Sequence, residues 1–360
     1  MNSTGDLVRQ FVAPPFYLQG PGVLDELPEI VSRLGKAPVI VTDPGVEAVL
    51  GERLAALLPG VARLLLEGEI TPLAVKALAD LVPTGCDIVL GVGGGKALDS
   101  GKAVALACSA RLISVPTAAS NDAPTSQTIA MYADEDHRFI VENMGRNPDV
   151  VLADTQVLAA APRRFLRYGI GDALAKAGEA RGCAAAPEGY TILGRRPAAS
   201  GLALAECAYA TLRRHAHDAL QAAGSGKPTA AFEAAIEAVI LMSGLGFENG
   251  GLGLAHAMTR GLMQSPRTRT AAHGEHVAYS MLVQTALDAD TDDLREERDF
   301  VRSLGLPAAL FDFGGGAATA DEIALLATSA MTATQHVLNW RDPLDPPAII
   351  DAIERVEAIG

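Results

Sequence analysis

The first 160 residues alternate short β-branched runs with stretches of helical composition. Four apolar runs predict buried strands, at residues 37–42, 61–66, 87–92 and 112–115. The stretches between and after them predict helices, at residues 47–58, 73–81 and 96–107. Strand, helix and strand in this order need right-handed crossovers, so the strands must pair in parallel. This part of the chain is therefore predicted to form a parallel sheet covered by helices.

The pattern changes after residue 154, where the β-branched runs end and stretches rich in Ala, Leu and Glu begin. Stretches such as 201–220 and 231–243 carry apolar residues at helical spacing. A chain of 360 residues is longer than single cores usually support. We therefore predict two domains, an α/β domain over residues 1–160 and an all-helical domain over residues 161–360.

The chain is acidic, because 29 Lys and Arg against 43 Asp and Glu give a formal net charge of −14. Nucleic acids and anionic membranes bind basic surfaces, so we expect the chain to bind neither. The four cysteines form no CxxC pair, which disfavours a disulfide framework or a zinc knuckle. The N-terminal residues show no basic segment leading into an apolar run, and no window offers about 18 uninterrupted apolar residues. A soluble protein in a reducing, cytoplasmic setting is the expectation.

A glycine-rich loop, LGVGGGKALDSGKA, joins the third predicted strand to the helix that follows it. Consecutive glycines there let backbone N–H groups approach a pyrophosphate, and the helix N-terminus adds a favourable partial charge. The spacing of Gly91, Gly93 and Gly94 is not that of GxGxxG. Leu90 and Ala97 stand where a P-loop has its first glycine and its Ser or Thr. A tight turn is the simpler interpretation, but three glycines followed by a lysine favour a phosphate-binding loop.

A second polar loop, SVPTAASNDAPTSQ, follows the next predicted strand. It offers the hydroxyls of Thr117, Ser120 and Ser126 and the carboxylate of Asp122. In open α/β sheets ligands bind at the carboxyl ends of the strands, so the two neighbouring loops are expected to line one cleft. The same residue types also suit an ordinary surface turn, which is the alternative.

One carboxylate and two histidines of the helical half offer the donor set of a catalytic metal: Asp172, His256 and His273. Such a set leaves room for a substrate oxygen on zinc or iron. His256 lies in the apolar, glycine-rich FENGGLGLAHAM, where a histidine is either a ligand or a buried hydrogen-bonding residue. The three residues lie far apart in sequence, so their spacing alone does not decide between these interpretations. His215 and His217 lie in an Arg-rich stretch that predicts a solvated helix face.

Six segments, in this order, resemble the glycerol dehydrogenase family, within the iron-containing alcohol dehydrogenase and dehydroquinate synthase-like superfamily. They are GVGGGKALD, VPTAASNDAPTS, NPDVVLADTQVLAAAPRRF, GIGDALA, GFENGGLGLAHAM and HGEHVA. The resemblance covers nearly the whole chain, and the combination is specific although each segment alone is not. It implies an N-terminal Rossmann-like nucleotide-binding α/β domain and a C-terminal helical metal-binding domain. It also implies oxidation of a polyol or secondary alcohol, of the glycerol to dihydroxyacetone type, with NAD and zinc or iron. Such proteins commonly form homo-oligomers, and we expect one here.

The resemblance further implies roles for individual residues. Ten would bind the nucleotide: Asp43, Gly94, Gly95, Lys96, Asp99, Thr117, Ser120, Ser126, Thr128 and Tyr132. Three would ligate the metal: Asp172, His256 and His273. Three would form the catalytic centre: Asp122, Phe247 and His256. Within these sets Asp43 would hold the adenosine ribose and favour NAD over NADP. Asp122 would bind a polyol hydroxyl, and Phe247 would line the substrate pocket.

The chain departs from the family it resembles at cationic residues near the implied metal ligands. Thr259, followed by Arg260, stands where glycerol dehydrogenases often carry another histidine. Arg267 and Arg269 precede the third implied ligand, and Lys176 follows the first by one helical turn. With a lysine near that place, the chain resembles relatives that handle phosphorylated substrates, such as glycerol-1-phosphate dehydrogenase and dehydroquinate synthase.

These cations have two interpretations. In the first they are surface charges, and Lys176 and Glu179 only decorate a helix. In the second, one or more of them pairs with a carboxylate or phosphate on the substrate, for which the arginine fork is well suited. The substrate would then be a hydroxy acid or a sugar or glycerol phosphate. Two other functions stay open: a dehydroquinate synthase-like cyclase, which would form no net NADH, and a non-catalytic relative.

Overall fold

The structure, a computed structural model, describes residues 8–135 and 139–359. Within these ranges the strands are β1 (Phe16–Gly20), β2 (Pro38–Thr42), β3 (Ala62–Leu65), β4 (Ile88–Gly93), β5 (Arg111–Pro116), β6 (Thr128–Tyr132), β7 (Phe139–Asn143) and β8 (Val150–Asp154). Six of them form a parallel sheet in the order β1-β8-β5-β4-β2-β3. The other two, β6 and β7, form an antiparallel hairpin.

The helices associated with the sheet are α1 (Leu27–Leu34), α2 (Pro44–Leu57), α3 (Pro72–Asp80), α4 (Gly95–Ala107) and α5 (Thr155–Ala160). The later helices are α6 (Arg163–Ala185), α7 (Ala199–Ala222), α8 (Ala230–Ile236), α9 (Ser243–Gly250), α10 (Leu254–Leu262), α11 (His273–Ala286), α12 (Thr291–Ser303), α13 (Ala320–Ala330), α14 (Thr334–Leu338) and α15 (Pro346–Ala358). A π-helical segment, Glu237–Met242, joins α8 to α9, and 3-10 turns lie at Val23–Glu26 and Leu310–Phe313.

Successive residues of the central strands are buried on opposite faces of the sheet. In β2, Val39 packs in one apolar cluster together with Leu78 of α3 and Val104 of α4. The next residue, Ile40, packs in a second cluster with Leu54 of α2. Because both faces are covered, the strands read as continuous apolar runs rather than alternating ones. The sheet is thus the middle of three layers.

The parallel α/β part followed by helices confirms the predicted fold class. The four predicted strands correspond to β2, β3, β4 and β5. The sequence interpretation missed β1, β8 and the hairpin. β8 is buried along its whole length and carries an apolar run, VVLAD, so its signal was present. β1 is an edge strand whose first residue, Phe16, is 62% exposed, and a partly exposed edge gives little pattern.

Side chains cap three of the helices that start at the carboxyl edge of the sheet. Asp43 accepts a 3.0 Å hydrogen bond from the Val46 N–H at the start of α2. Thr71 caps α3 and Asp154 caps α5 in the same way. α4 differs, because its N-cap residue is Gly94 and no side chain among the described residues caps it. The first turn of α4 therefore presents backbone N–H groups without a side-chain acceptor.

The chain divides into two compact units. One contains the sheet and consists of Val12–Leu166 and Ala219–Gly244. The other is helical and contains Arg167–Asp218, the described chain after Gly244, and residues 8–11. The segment 219–244 thus groups with the sheet although it follows the first helices of the other unit. The boundary near residue 160 stays a prediction.

One helical stretch, Ala230–Gly250, is long and apolar enough to cross a membrane by composition. In the structure 61% of its apolar window is buried, as in the core helix of a soluble protein. The N-terminal residues, in which the sequence shows no basic segment leading into an apolar run, include residues 1–7. These seven residues lie outside the described ranges.

Candidate active site

The glycine loop lies where β4 passes into α4, and its glycines differ in how closely the protein packs against them. Gly93 has φ +153°, and a Cβ there would lie 2.5 Å from the Ala97 Cβ. A Cβ on Gly95 would lie 2.7 Å from the Asn121 side-chain nitrogen. A Cβ on Gly94 would meet nothing within 4 Å. The loop is therefore packed on the protein side and open at Gly94, so a ligand can approach the backbone there.

Two further predicted nucleotide residues flank the glycine loop. The Thr117 N–H donates a 3.0 Å hydrogen bond to the Gly93 carbonyl, which places the loop after β5 beside the loop after β4. The Asp43 Oδ2 lies 3.3 Å from the position a Gly93 Cβ would take. Asp122 belongs to the same second loop, and its Oδ2 accepts a 3.4 Å hydrogen bond from Ser243 Oγ. The two loops thus share one edge of the sheet, as neighbouring parallel strands require.

Asp99 is buried one turn into α4, and both its oxygens are bonded inside the protein. Oδ1 accepts from Lys102 Nζ at 2.8 Å, and Oδ2 accepts from the Ala130 N–H at 3.0 Å. Lys102 Nζ also donates to the Thr128 carbonyl at 2.8 Å and to Ser126 Oγ at 3.3 Å. This buried network ties α4 to β6 and to the end of the second loop.

The other predicted nucleotide residues lie in the same unit. Lys96 is largely exposed, and its ammonium forms an ion pair with Glu69. Ser120 and Tyr132 are half-buried. The Thr128 Oγ1 is buried and has no hydrogen-bond partner among the described residues. A buried hydroxyl without a partner costs free energy, so its presence here is consistent with a bound ligand group completing its hydrogen bonds.

In the helical unit, the structure brings the three predicted metal ligands together. Asp172 lies on α6, His256 on α10, and His273 is the first residue of α11. One donor atom from each lies within 4.8 Å of the other two. The Asp172 Oδ1 is 3.2 Å from His256 Nε2 and 3.7 Å from His273 Nε2. Asp172 and His256 are buried, and the His273 side chain is 48% exposed, which leaves the cluster open on one side.

A glycine crossing explains why residues so distant in sequence meet. A Cβ on Gly171 would lie 2.4 Å from the Gly274 carbonyl oxygen, and a Cβ on Gly274 would lie 1.9 Å from the Tyr168 carbonyl oxygen. Only glycine allows α6 and the start of α11 to approach this closely. Since Asp172 follows the first glycine and His273 precedes the second, the crossing sets the distance between these two donors.

Glu179, buried on the same face of α6, orients His256. Its two carboxylate oxygens lie 2.9 and 2.8 Å from His256 Nδ1. Oε1 also accepts from the backbone N–H groups of Gly253 and His256, at 2.9 and 3.0 Å. A carboxylate behind the distal nitrogen is the usual companion of a metal-binding histidine, because it fixes the ring orientation and leaves the other nitrogen for the metal.

Lys176 lies inside the cluster. Its Nζ is 2.7 Å from Asp172 Oδ1, 3.0 Å from His256 Nε2 and 5.4 Å from the centre of the Phe247 ring. Lys176 and Glu179 are 1% and 0% exposed. The interpretation of these two residues as surface charges is therefore wrong: α6 turns this face inward, and each charge has a buried partner of opposite sign.

Electrostatics in the cluster favour a positive charge. Burial alone would raise the pKa of Asp172, but the Lys176 ammonium and the two imidazoles hold that pKa well below its usual range. Burial acts in the same way on Glu179, and the neighbouring His256 brings its pKa below the usual value. Burial alone would lower the pKa of His256, but Glu179, helped by Asp172, raises it to about 9. Both carboxylates thus stay ionised and attract a cation, whether proton, ammonium or metal.

The arginines that lie near the predicted ligands in sequence differ in their contacts and in their exposure. Arg267 donates through Nε to Glu322 at 3.0 Å and through Nη1 to the carbonyls of Gly314 and Gly316, at 2.9 and 2.6 Å. Its guanidinium therefore holds a loop of its own unit. Arg260 is half-buried on α10, and Arg269 is exposed.

Sequence reasoning did not assign Glu179 a role in the site. A signal was present, because Asp172, Lys176 and Glu179 are spaced four and three residues apart and so share one helix face. Three charged residues on one face of a helix that is otherwise rich in alanine and glycine indicate either a solvated face or a buried polar site. Burial decides between the two, and burial is a property of the packed fold.

The comparisons with known proteins agree with this geometry. The sequence profile of the family described as "Iron-containing alcohol dehydrogenase" matches residues 18–162. A glycolaldehyde reductase of Halobacterium salinarum is 36% identical, and the aligned region covers 97% of each chain. A glycerol dehydrogenase of Thermotoga maritima is 34% identical, and the aligned region covers 98% of each chain.

A solved structure has a similar fold. The crystal structure of a probable glycerol dehydrogenase from Sinorhizobium meliloti 1021 matches with a TM-score of 0.89 and 34% sequence identity. The match covers 98% of this chain and 99% of that chain. With identity above 30% along almost the full length, the chain belongs to the glycerol dehydrogenase family of iron-containing alcohol dehydrogenases.

Proposed function

We propose that this protein is an NAD-dependent and divalent-metal-dependent dehydrogenase that oxidises a CH–OH group of a small polyol. The observation that carries the proposal is the buried cluster of Asp172, His256 and His273, with Glu179 behind His256. The full-length likeness to a glycerol dehydrogenase and a glycolaldehyde reductase supports the same reaction class.

The donor set fits a divalent metal ion. One carboxylate oxygen and two imidazole nitrogens face one another, and the buried Glu179 fixes one of the rings. We assign Asp172, His256 and His273 as the ligands and zinc as the ion. When bound, the ion supplies Lewis acidity toward the substrate oxygen. Phe247 adds a buried apolar face beside the cluster, as expected of a residue that lines a substrate pocket.

The α/β unit fits NAD at the glycine loop. The open backbone at Gly94, the α4 N-terminus without a side-chain cap and the buried Thr128 hydroxyl support a pyrophosphate and its neighbours there. We assign the nucleotide to these residues: Asp43, Gly94, Gly95, Lys96, Thr117, Ser120, Ser126, Thr128 and Tyr132. Asp99 acts through the network that holds α4 in place. When bound, NAD supplies the hydride acceptor.

Replacing Asp43 by asparagine should relax the preference for NAD over NADP. Asparagine keeps an oxygen that can cap α2, but it removes the negative charge that would repel a 2′-phosphate. We expect the ratio of kcat/KM for NADP+ to kcat/KM for NAD+ to rise at least about tenfold, with thermal stability nearly unchanged. An Asp345→Asn variant, altered at the exposed cap of α15, which also precedes a proline and accepts from the N–H three residues on, is the control. An unchanged coenzyme ratio in D43N would contradict the ribose assignment.

The substrate class follows from the relatives and from Asp122. Glycerol and glycolaldehyde both carry oxygens on adjacent carbons, so we propose vicinal diols and the matching α-hydroxy carbonyl compounds as the substrate pair. Asp122 can accept a hydrogen bond from a second hydroxyl, whereas its carboxylate would repel an anionic group. Arg267 is already bonded to Glu322 and to loop carbonyls, which weakens the case for a hydroxycarboxylate or phosphate substrate.

A substrate panel on the zinc-loaded protein tests the function. We expect glycerol or another vicinal diol to reduce NAD+ with a kcat/KM at least about tenfold above that of hydroxy acids and glycerol phosphates. Dihydroxyacetone or glycolaldehyde should consume NADH in the reverse direction. Activity should be lost with a chelator and restored by Zn2+. Preference for an anionic substrate would shift the assignment toward Arg260 and Arg269, and the absence of net NADH formation would favour a cyclase.

Three broader expectations belong to the same proposal. We propose a homo-oligomer in a cytoplasmic setting, acting on small molecules rather than on nucleic acids or membranes. The net charge of −14 supports the last point.

A further inference from the structure

On the basis of the proposed function, we propose that the Lys176 ammonium and the metal ion compete for the same two donor atoms, so that only one of them is bound there at a time. Lys176 then holds the ligands together when no metal is bound and weakens metal binding by competing with it.

The geometry places the ammonium on the metal's own donors. Nζ is 2.7 Å from Asp172 Oδ1 and 3.0 Å from His256 Nε2, and these two atoms are 3.2 Å apart. Because His256 Nδ1 faces Glu179, the ring offers one position, at Nε2, to any cation. When the ring is neutral and its hydrogen lies on Nδ1, facing Glu179, Nε2 has a single lone pair, so it cannot accept from an ammonium and ligate a metal together. Zinc ligation at about 2.0–2.2 Å therefore requires Nζ to leave His256.

Burial makes this contact strong. Lys176 is 1% exposed, and the side chains of the pair with Asp172 are each 2% exposed. Without a cation, the two buried carboxylates of Asp172 and Glu179 would lie on either side of the His256 ring. The ammonium supplies one positive charge at this point, and a divalent metal would supply two. The face of the Phe247 ring, 5.4 Å from Nζ, offers the displaced ammonium a favourable contact that uses neither donor.

The second buried lysine pair of the described chain shows such a pair away from any candidate metal ligands. Lys102 bonds to Asp99 three residues earlier on α4, and it also donates to Ser126 Oγ and to the Thr128 carbonyl. Its carboxylate partner binds a backbone N–H and belongs to no group of possible metal ligands found among the described residues. Lys176 instead contacts two of the three donors of such a group.

Zinc titration in competition with a chelator, at one pH, tests the proposal. The probe is Zn2+ alone, and the readout is its dissociation constant. Lys176→Met keeps the length of the side chain and removes its charge, so Zn2+ should bind about 10- to 100-fold more tightly than to the wild type. Lys227→Met removes an exposed lysine with the same change in net charge and should leave the constant unchanged. Glu179→Gln should act in the opposite sense and weaken binding about 10- to 100-fold.

A second variant and a structure keep the test independent of how well K176M folds. Lys176→Arg retains the cation and should bind Zn2+ no more tightly than the wild type. In a crystal structure of the zinc-loaded wild type, Nζ should lie beyond hydrogen-bond distance of His256 Nε2. Equal zinc affinity in K176M and the wild type, or Nζ still bonded to Nε2 beside a bound zinc, would overturn the competition and leave the dehydrogenase assignment standing. Failure of both proteins to bind Zn2+ would overturn the competition and the metal assignment together.

Discussion

Replacing His256 by alanine should abolish turnover while NAD binding stays largely intact. The substitution removes one of the three proposed metal donors and, among the described residues, leaves Glu179 with its two backbone N–H partners. Lewis acidity contributes several kcal/mol to the transition state, so we expect kcat/KM for the preferred diol to fall by about three orders of magnitude or more. The measurement is initial-rate kinetics at saturating Zn2+, together with fluorescence titration of NADH.

The control for this variant is His217→Ala, which removes an exposed imidazole bonded to Ser303 on the helical unit. That variant should keep wild-type kinetics. Near-normal turnover of H256A with zinc still bound would contradict the assignment of His256. Loss of NADH binding in H256A would show that the substitution disturbs more than the metal centre.

Replacing Gly274 by alanine should destabilise the protein and disturb the metal centre at the same time. The new Cβ would lie 1.9 Å from the Tyr168 carbonyl oxygen, a distance that no rotamer change can relieve because both atoms belong to backbone or Cβ. We expect a loss of about 3 kcal/mol or more in the free energy of unfolding, which lowers Tm by about 6–12 °C in a unit of this size. Thermal unfolding with and without Zn2+ measures both effects.

Gly316→Ala is the matched control, because a Cβ there meets nothing within 4 Å and its backbone needs no glycine. Its Tm should stay within about 1 °C of the wild type. Zinc should also stabilise G274A less than it stabilises the wild type and G316A, since α6 and α11 must separate and carry Asp172 away from His273. If G274A unfolds at the wild-type temperature, the backbones at this crossing are not in the close contact described.

Much of the fold was accessible from sequence because parallel strands buried on both faces are continuous apolar runs. The run APVIVT and the glycines after DIVLGV predicted β2, β4 and the loop beyond them before any packing was known. β1 was not accessible, since an exposed edge strand of five residues carries almost no periodic signal. β8 was overlooked although its apolar run is as clear as that of β5.

The candidate site divides in the same way between local and non-local information. The glycine loop is local, so its residue types indicated a phosphate site directly. The proximity of Asp172 and His273 depends on two backbones touching at Gly171 and Gly274, which no spacing between histidines can show. Here the family resemblance, rather than residue spacing, predicted the three ligands. Whether Lys176 faced water or the protein interior was likewise undetermined until the helices were packed.

The missing cap of α4 has a consequence for the protein without its coenzyme. Asp43, Thr71 and Asp154 hold the first turns of their helices with their own side chains, whereas α4 starts at Gly94 with none among the described residues. The first turn of α4 should therefore open more often than its neighbours and exchange its amide hydrogens faster. A bound pyrophosphate would accept hydrogen bonds from the N–H groups of that turn and order it. The cost of ordering the helix would then offset part of the favourable free energy of coenzyme binding. Coenzyme affinity and the local stability of the first turn of α4 should therefore change together.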